Sequence, residues 1–526
     1  MTDQPPLEVE LKLATTAEAM EALLASPLLR EHARSTVRTR QLVNVYYDTA
    51  DGRLGRERMV LRVRQSGRKF VQTLKSGNVA EGAGNVRGEW EVELPDATPR
   101  PEAFVDSGTP DFVGQLSPDE LTPVFETRFK RRALLVEWPD GEQPPGRIEV
   151  AFDRGAIRAH GRESPICEVE LELKDGDPRT MFELAEAMRG LAPLRLQPQD
   201  KGARGYLLAS EAPPEWHRAR PVTLTEDMSV DDALLAILNG CMRHWLDNEP
   251  AARDGRRPEG LHQMRVALRR LRSALSLLRP ALAESAREEW KGELRWLLKP
   301  LGPARDLDVF ATQTMVPVME ARGGDPSLAA LAEAVEERRR QAHDAVRGTL
   351  ASDRYGDMTF RLACWIARRG WRQGADIDVL LAQRQPVKDL ATAILDRRYR
   401  KVLKRGRRFA RLSPEQRHEL RIAFKKLRYG TEFFASLYGR KRVKPFRKAA
   451  AHLQEILGHL NDVAVAQHLV QDVLNEVPEG ERRSAAALGA GQVLGWYAHA
   501  TTLLEPHARE AWEAFREVEP FWEHAG

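Results

Sequence analysis

The chain has 526 residues, 42% hydrophobic and 30% charged, with a net charge of +4. That length calls for two or more domains, and its three scattered cysteines, Cys167, Cys241 and Cys364, make neither a disulfide framework nor a metal cluster. The opening MTDQPPLEVELK lacks a basic-then-apolar leader and no run of eighteen apolar residues follows, so the sequence points to a soluble cytoplasmic protein with no membrane span.

In chain order, residues 7–208 show strand-like alternation. The segments are LEVELKLA (7–14), QLVNVYYDT (41–49), MVLRVRQSG (59–67), KFVQTLKSG (69–77), GEWEVEL (88–94), FKRRALLVEW (129–138), RIEVAFDRG (147–155) and ICEVELELK (166–174). Two helical stretches interrupt them, 15–26, with Thr15 or Thr16 as cap, and 180–191. The expected class is α+β, with a large antiparallel sheet, closed on itself. EAPPEWHRARP (211–221) has the composition of a linker. It divides a first domain (1–210) from a second (222–526). From Ser229 the period is helical, broken only by segments such as GGDPS (323–327) and KRVKP (441–445).

The helical half repeats itself. HQMRVALRRLRSALSLL (262–278) matches HELRIAFKKLRYGTEFF (418–434), and LKPLGPARDLDVF (298–310) matches QEILGHLNDVAVA (454–466). His262 and His418, Arg265 and Arg421, Gly302 and Gly458, and Asp306 and Asp462 are each 156 residues apart. The expectation is an all-α domain of two pseudo-symmetric helical bundles. Charge divides as well: residues 1–220 sum to −5, 221–526 to +9, and 361–460 alone to +18. Such asymmetry suggests a polyanion partner for the second half.

The polar faces of the strands carry the chemistry. Glu8, Glu10 and Lys12 share one face; Arg62 and Arg64 share another; Lys75 ends VQTLK. Glu89, Glu91 and Glu93 alternate, as do Glu168, Glu170 and Glu172; Glu149 and Asp153 share a face, and Arg131 lies in FKRRALL. One such strand is ordinarily half solvated. If the whole sheet closes with its charges inward, carboxylates and cations share one lumen. A ligand using both signs would relieve the cost. Divalent cations satisfy the carboxylates, and a polyphosphate satisfies the arginines and lysines.

Glu8-Val-Glu10-Leu-Lys12 resembles the ExExK signature of the CYTH superfamily, the triphosphate tunnel metalloenzymes. The likeness continues through Arg62 and Arg64, Lys75, Asp153 of FDRG, CEVELELK (167–174) and DKGARGY (200–206), over residues 5–208. The resemblance implies a tunnel of about eight antiparallel strands that hydrolyses a linear triphosphate with Mg2+ or Mn2+, two metal ions acting together. By matching position, Glu8, Glu10, Asp153, Glu170 and Glu172 resemble the metal-side acids. Lys12, Arg62, Arg64, Lys75, Arg131 and Lys201 resemble the phosphate clamps. Glu8, Glu10 and Lys12 resemble the catalytic signature, with Glu89 and Glu168 less securely placed.

In the helical half, His262, Arg265, Arg269 and Arg272 fall on one helix face, and His418, Arg421, Lys425 and Arg428 repeat it, flanked by Arg270 and Lys426. Like charges so stacked cost stability unless an anion relieves them. A second block, 397–411, carries nine Lys or Arg and no acid. Its aromatics, Tyr399 and Phe409, are too sparse for base stacking, so nucleic acid is the weaker partner. The paired segments resemble the CHAD domain over residues 222–515, which implies a basic channel binding inorganic polyphosphate. Asn461 stands where the first copy has Arg305. His262 and His418 serve equally well as neutral donors, caps or satisfied core residues.

The two halves arrive separately at one ligand class. The reading is an inorganic triphosphatase with a polyphosphate-binding module, cytoplasmic or associated with polyphosphate granules. Alternatives are a non-catalytic polyphosphate scaffold, or an enzyme acting on thiamine triphosphate or nucleoside triphosphates.

Overall fold

The computed structural model describes residues 9–57, 59–75, 79–81, 84–86, 89–104, 109, 111–141 and 143–523. The chain forms two compact units. One comprises Met1–Pro214 with Asp353–Gly370, the other Glu215–Ser352 with Trp371–Gly526. Among the described residues no helix is long and apolar enough to cross a membrane.

The first unit is built on one antiparallel sheet. Its strands are β1 (Val9–Ala14), β2 (Arg38–Thr49), β3 (Val60–Ser66), β4 (Lys69–Lys75), β5 (Val79–Glu81), β6 (Gly84–Val86), β7 (Glu89–Leu94), β8 (Leu121–Asp140), β9 (Gln143–Ala159), β10 (Arg162–Asp175) and β11 (Arg195–Leu196). The eight strands of six or more residues fall on the eight alternating segments of the sequence. The order is β5-β6-β1-β10-β9-β8-β2-β3-β4-β7, with β11 on β1. Among the described residues, hydrogen bonds do not close this sheet, contrary to a fully paired barrel. Chain continuity brings its ends together instead. Val86 ends β6, which pairs with β1, and Glu89 begins β7, which pairs with β4. Those two residues are three peptide steps apart, a reach of at most about 11 Å, so the sheet must curl.

Register sets the inner face. Lys12 lies opposite Glu170 and Glu10 opposite Glu172; Asp153 pairs with Glu168 on one side and with Arg131 on the other. Arg62 lies opposite Tyr46 and Thr73, and Lys75 opposite Glu89. Strand parity gives the intervening Leu11, Leu13, Val169 and Leu171 to the other face, where they are fully buried. The helices that cover it are Ala17–Leu24, N-capped by Thr16, and Pro178–Arg189. The Asp353–Ala367 helix, far along the chain, joins this layer: Asp357 pairs with Arg189 and Arg368 with Glu186.

The helix Lys201–Ala209 packs Tyr206 edge-on against Phe125, 5.1 Å between ring centroids, and Phe125 stacks on Tyr46 at 4.2 Å. Gly205 permits this docking, because a Cβ there would lie 2.0 Å from the Phe125 ring. Gly155, two residues beyond Asp153, is equally constrained. Its Cβ would sit 2.1 Å from the Arg128 carbonyl oxygen and 2.5 Å from Phe129 Cα. Backbone cannot give way as a side chain can. Gly155→Val is therefore expected to destabilise the sheet by about 3 kcal/mol, read as a lowered midpoint in urea unfolding.

The second unit is duplicated helix by helix. Val230–Asp254 corresponds to Val387–Gly406, Pro258–Leu277 to Pro414–Phe434, Glu284–Val309 to Arg440–Glu476, and Pro326–Ala351 to Glu481–Glu517, with starts 155 to 157 residues apart. Each helix packs against its own counterpart, as a pseudo-twofold requires. GGDPS leads into a helix start, where Asp325 accepts from Ser327 N. KRVKP does not break the helix: it lies in the first turns of Arg440–Glu476. Pro445 is the sixth residue of that helix, so it gives up one intrahelical bond, to the carbonyl four residues back, without ending the helix.

Candidate functional site

On the inner face of the sheet, β9 and β10 bring Asp153, Glu168 and Glu170 together. Their nearest ligand oxygens all lie within 4.8 Å of one another. Asp153 and Glu168 are 0% and 1% exposed. Buried carboxylates this close repel unless cations compensate. Arg131 supplies one: its Nε and Nη2 donate to Asp153 at 2.7 and 2.6 Å in a bidentate fork, and Nη2 also reaches Glu170. Lys201, the first helical residue after the Asp200 cap, places its Nζ 2.7 Å from Asp153 Oδ2 and 2.8 Å from Glu170 Oε1, and also touches Glu168. Lys12 pairs with Glu10 and lies 3.9 Å from Glu170. Arg204 donates to Glu168 Oε2 at 2.9 Å.

Burial alone would raise the Glu170 carboxyl. Lys201, Arg131 and Lys12 outweigh it and hold the group well below the usual carboxylate range. Burial likewise works against the Lys201 charge, but Glu170, Asp153 and Glu168 hold the ammonium above its ordinary value. Glu170 and Lys201 therefore face each other as a charged pair at neutral pH. Clustered hard oxygen donors suit Mg2+ or Mn2+. Glu168 Oε1, buried, is held by the Lys201 ammonium rather than by a hydrogen bond.

The other side of the inner face is cationic. Arg62 and Lys75 share Glu89, at 3.4 and 2.7 Å, and Arg64 approaches Glu91 at 3.6 Å. Neighbouring Arg62, then burial, with a further push from Arg131, lowers Arg64 to about 10. Crowded cations of this kind favour an anion with several charges.

Nearly all of the predicted tunnel residues share this face, and the structure sorts them. Asp153 and Glu170 meet in the acidic cluster, with Glu168 as the third member. Glu10 turns to Lys12, and Glu172, partly exposed, pairs with Lys174. Glu8 lies outside the described residues. The sequence reading missed Arg204, whose signal was present in DKGARGY, and left Glu168 uncertain.

In the helical unit the two stripes converge. His262 is pushed down to about 3, first by burial and then by Arg305, Arg269 and Arg265 of its own repeat and Arg428 of the other. Arg265 falls to about 10 through burial, Arg269, Arg305 and Arg272, with Asp306 opposing. Arg269 Nε is buried without a hydrogen bond. Arg272 is lowered by burial, Arg269 and Arg295. Lys426 is lowered by burial and by Arg398, Lys401, Arg272 and Arg405. The basic block of 397–411 thus adds to the same cationic region. Flanking Arg270 does not: it is buried, pairs with Glu432 and lies over Phe433. Arg428 also lies 3.5 Å from Glu432. On the Pro414–Phe434 helix His418 is exposed, unlike His262, while Arg421 and Lys425 are half-buried.

Fold and site together define a two-part protein: a curled sheet domain lined by both signs of charge, and a duplicated helical domain with a cationic region. Residues 6–206 match the CYTH domain family and residues 236–471 the CHAD domain family. The chain carries a CYTH domain followed by a CHAD domain. It is 34% identical over 208 residues to an inorganic triphosphatase of Haemophilus influenzae, a match covering 39% of this chain and 55% of that protein. The chain thus spans about half the length of this curated relative. Among solved structures it resembles the CHAD domain from the plant Ricinus communis, at 28% identity and a TM-score of 0.50, covering 58% of this chain and 98% of that one.

Proposed function

We propose that the CYTH domain hydrolyses inorganic triphosphate with Mg2+ or Mn2+, and that the CHAD domain binds inorganic polyphosphate. One observation carries the first half: the Asp153–Glu168–Glu170 cluster shares an inner face with Lys12, Arg131 and Lys201 and with Arg62, Arg64 and Lys75. The relative named inorganic triphosphatase supports the same substrate. A divalent cation held by Asp153, Glu168 and Glu170 would neutralise phosphate oxygens and acidify a water. A phosphate chain would draw Arg62, Arg64 and Lys75 away from Glu89 and Glu91, and the clamps would orient it and spread its charge; positioning and electrostatics account for most of such catalysis. For the CHAD domain the support is the cationic region shared by both repeats. Purified full-length protein should release phosphate from tripolyphosphate with Mg2+ or Mn2+ and stop on addition of EDTA. Release that continues undiminished in EDTA would contradict the metal-dependent reading.

A further inference from the structure

The Lys201 ammonium sits among the same three carboxylates that a divalent cation would use. It contacts Asp153, Glu168 and Glu170 at once, and it is only 8% exposed. A dication and an ammonium in one such niche repel strongly, because little water screens them. One must leave before the other is fully held.

The surrounding structure says which part can move. The backbone of Lys201 is fixed: Asp200 accepts from Ala203 N at 2.6 Å, and Gly205 and Tyr206 lock the helix onto Phe125. The lysine side chain is a flexible stem with a point charge at its tip. Arg131 is a poorer candidate for release, since its planar fork makes two bonds to fully buried Asp153. Glu168 Oε1 also lacks a hydrogen bond despite the ammonium beside it. The lysine meets this oxygen as an ion pair without a directed hydrogen bond, the kind of contact a second cation can take over.

We infer that Lys201 is an internal counter-ion that holds the acid cluster closed to metal until a phosphate chain draws its ammonium away. This rests on the triphosphatase reading above and adds a coupling to it. Without triphosphate, Lys201 weakens metal binding; with triphosphate, the side chain turns to the phosphates and the acids take the metal. Metal and substrate then strengthen each other's binding beyond their direct contact, the reciprocity that linkage requires.

The test is direct measurement of Mn2+ binding to the full chain, by the loss of the free-ion electron paramagnetic resonance signal, with and without a nonhydrolysable imidotriphosphate. Lys201→Ala and Lys201→Gln should bind Mn2+ without the analogue about tenfold more tightly than wild type. The added tightening that the analogue gives wild type should shrink in both. Equal or weaker Mn2+ binding by the variants, in a wild type that hydrolyses tripolyphosphate, overturns the inference and leaves the reading intact. A wild type that neither binds Mn2+ with the analogue nor releases phosphate overturns both. Should Lys201→Ala fail to fold, Lys201→Gln, closer in length and uncharged, carries the same comparison.

Discussion

Glu170→Gln is expected to cut metal-dependent phosphate release from tripolyphosphate by about a hundredfold or more. The effect should be large because Glu170 is the junction of the site. It meets Lys201, Arg131 and Lys12, and it contributes to the acidic cluster. The amide keeps the shape and loses the charge, so the proposed metal ligand and a shared counter-ion disappear together. The variant should fold, since the apolar neighbours Val169 and Leu171 are untouched. Its pH behaviour follows from sign. Wild-type Glu170 is held below its unfolded value, so its stabilisation is present above the ordinary carboxyl range, about pH 4.3, and is lost as pH falls below it. The uncharged amide of the variant has no such increment to lose. Thermal melts of the two proteins from pH 7 to pH 3 should converge toward the acid end.

The second large effect concerns the helical domain. Reversing charge at Arg265, Arg269, Arg421 and Lys425, in the Glu170→Gln background so that polymer is not consumed, should weaken binding of long-chain polyphosphate at least about a hundredfold. The slope of log affinity against log salt should fall by about three, as four lost phosphate contacts imply. Unchanged binding would remove the stripes from the account. The same titration carries a pH signature. Burial, then Arg305, Arg269, Arg265 and Arg428, keeps His262 neutral; a polyanion that offsets the arginines eases protonation of the imidazole. Affinity should therefore stay flat near pH 8 and rise as pH falls below about 6.5, the ordinary imidazole value, and His262→Asn should flatten the rise.

Much of this architecture was legible because the signals are local. Alternation marks a strand wherever one face packs and the other does not, and the eight segments that alternate are the eight long strands. The 156-residue offset predicted even the helix starts, Pro258 with Pro414 and Glu284 with Arg440. What stayed hidden depends on register and packing. Glu168, Glu170 and Glu172 are equivalent by parity, and only the pairing of Asp153 with Glu168 shows which end of β10 forms the acidic cluster. The helix Lys201–Ala209 begins KGARG, poor in helix propensity; its docking on Phe125 makes it a helix and delivers Lys201. Nor does any local pattern announce that Asp353–Gly370 packs with the sheet unit. Nor can alternation reveal that, among the described residues, no strand pairing joins the two edges of the sheet.

The central claim is that the sheet domain acts on inorganic triphosphate through an acidic cluster flanked by phosphate clamps. Its most direct test compares initial rates of phosphate release by the purified full chain from tripolyphosphate, ATP and thiamine triphosphate, each with Mg2+, Mn2+ or EDTA. The account predicts the fastest release from tripolyphosphate, no release in EDTA, and loss of that release in Glu170→Gln. Faster turnover of ATP or thiamine triphosphate, or an undiminished rate in Glu170→Gln, would contradict it.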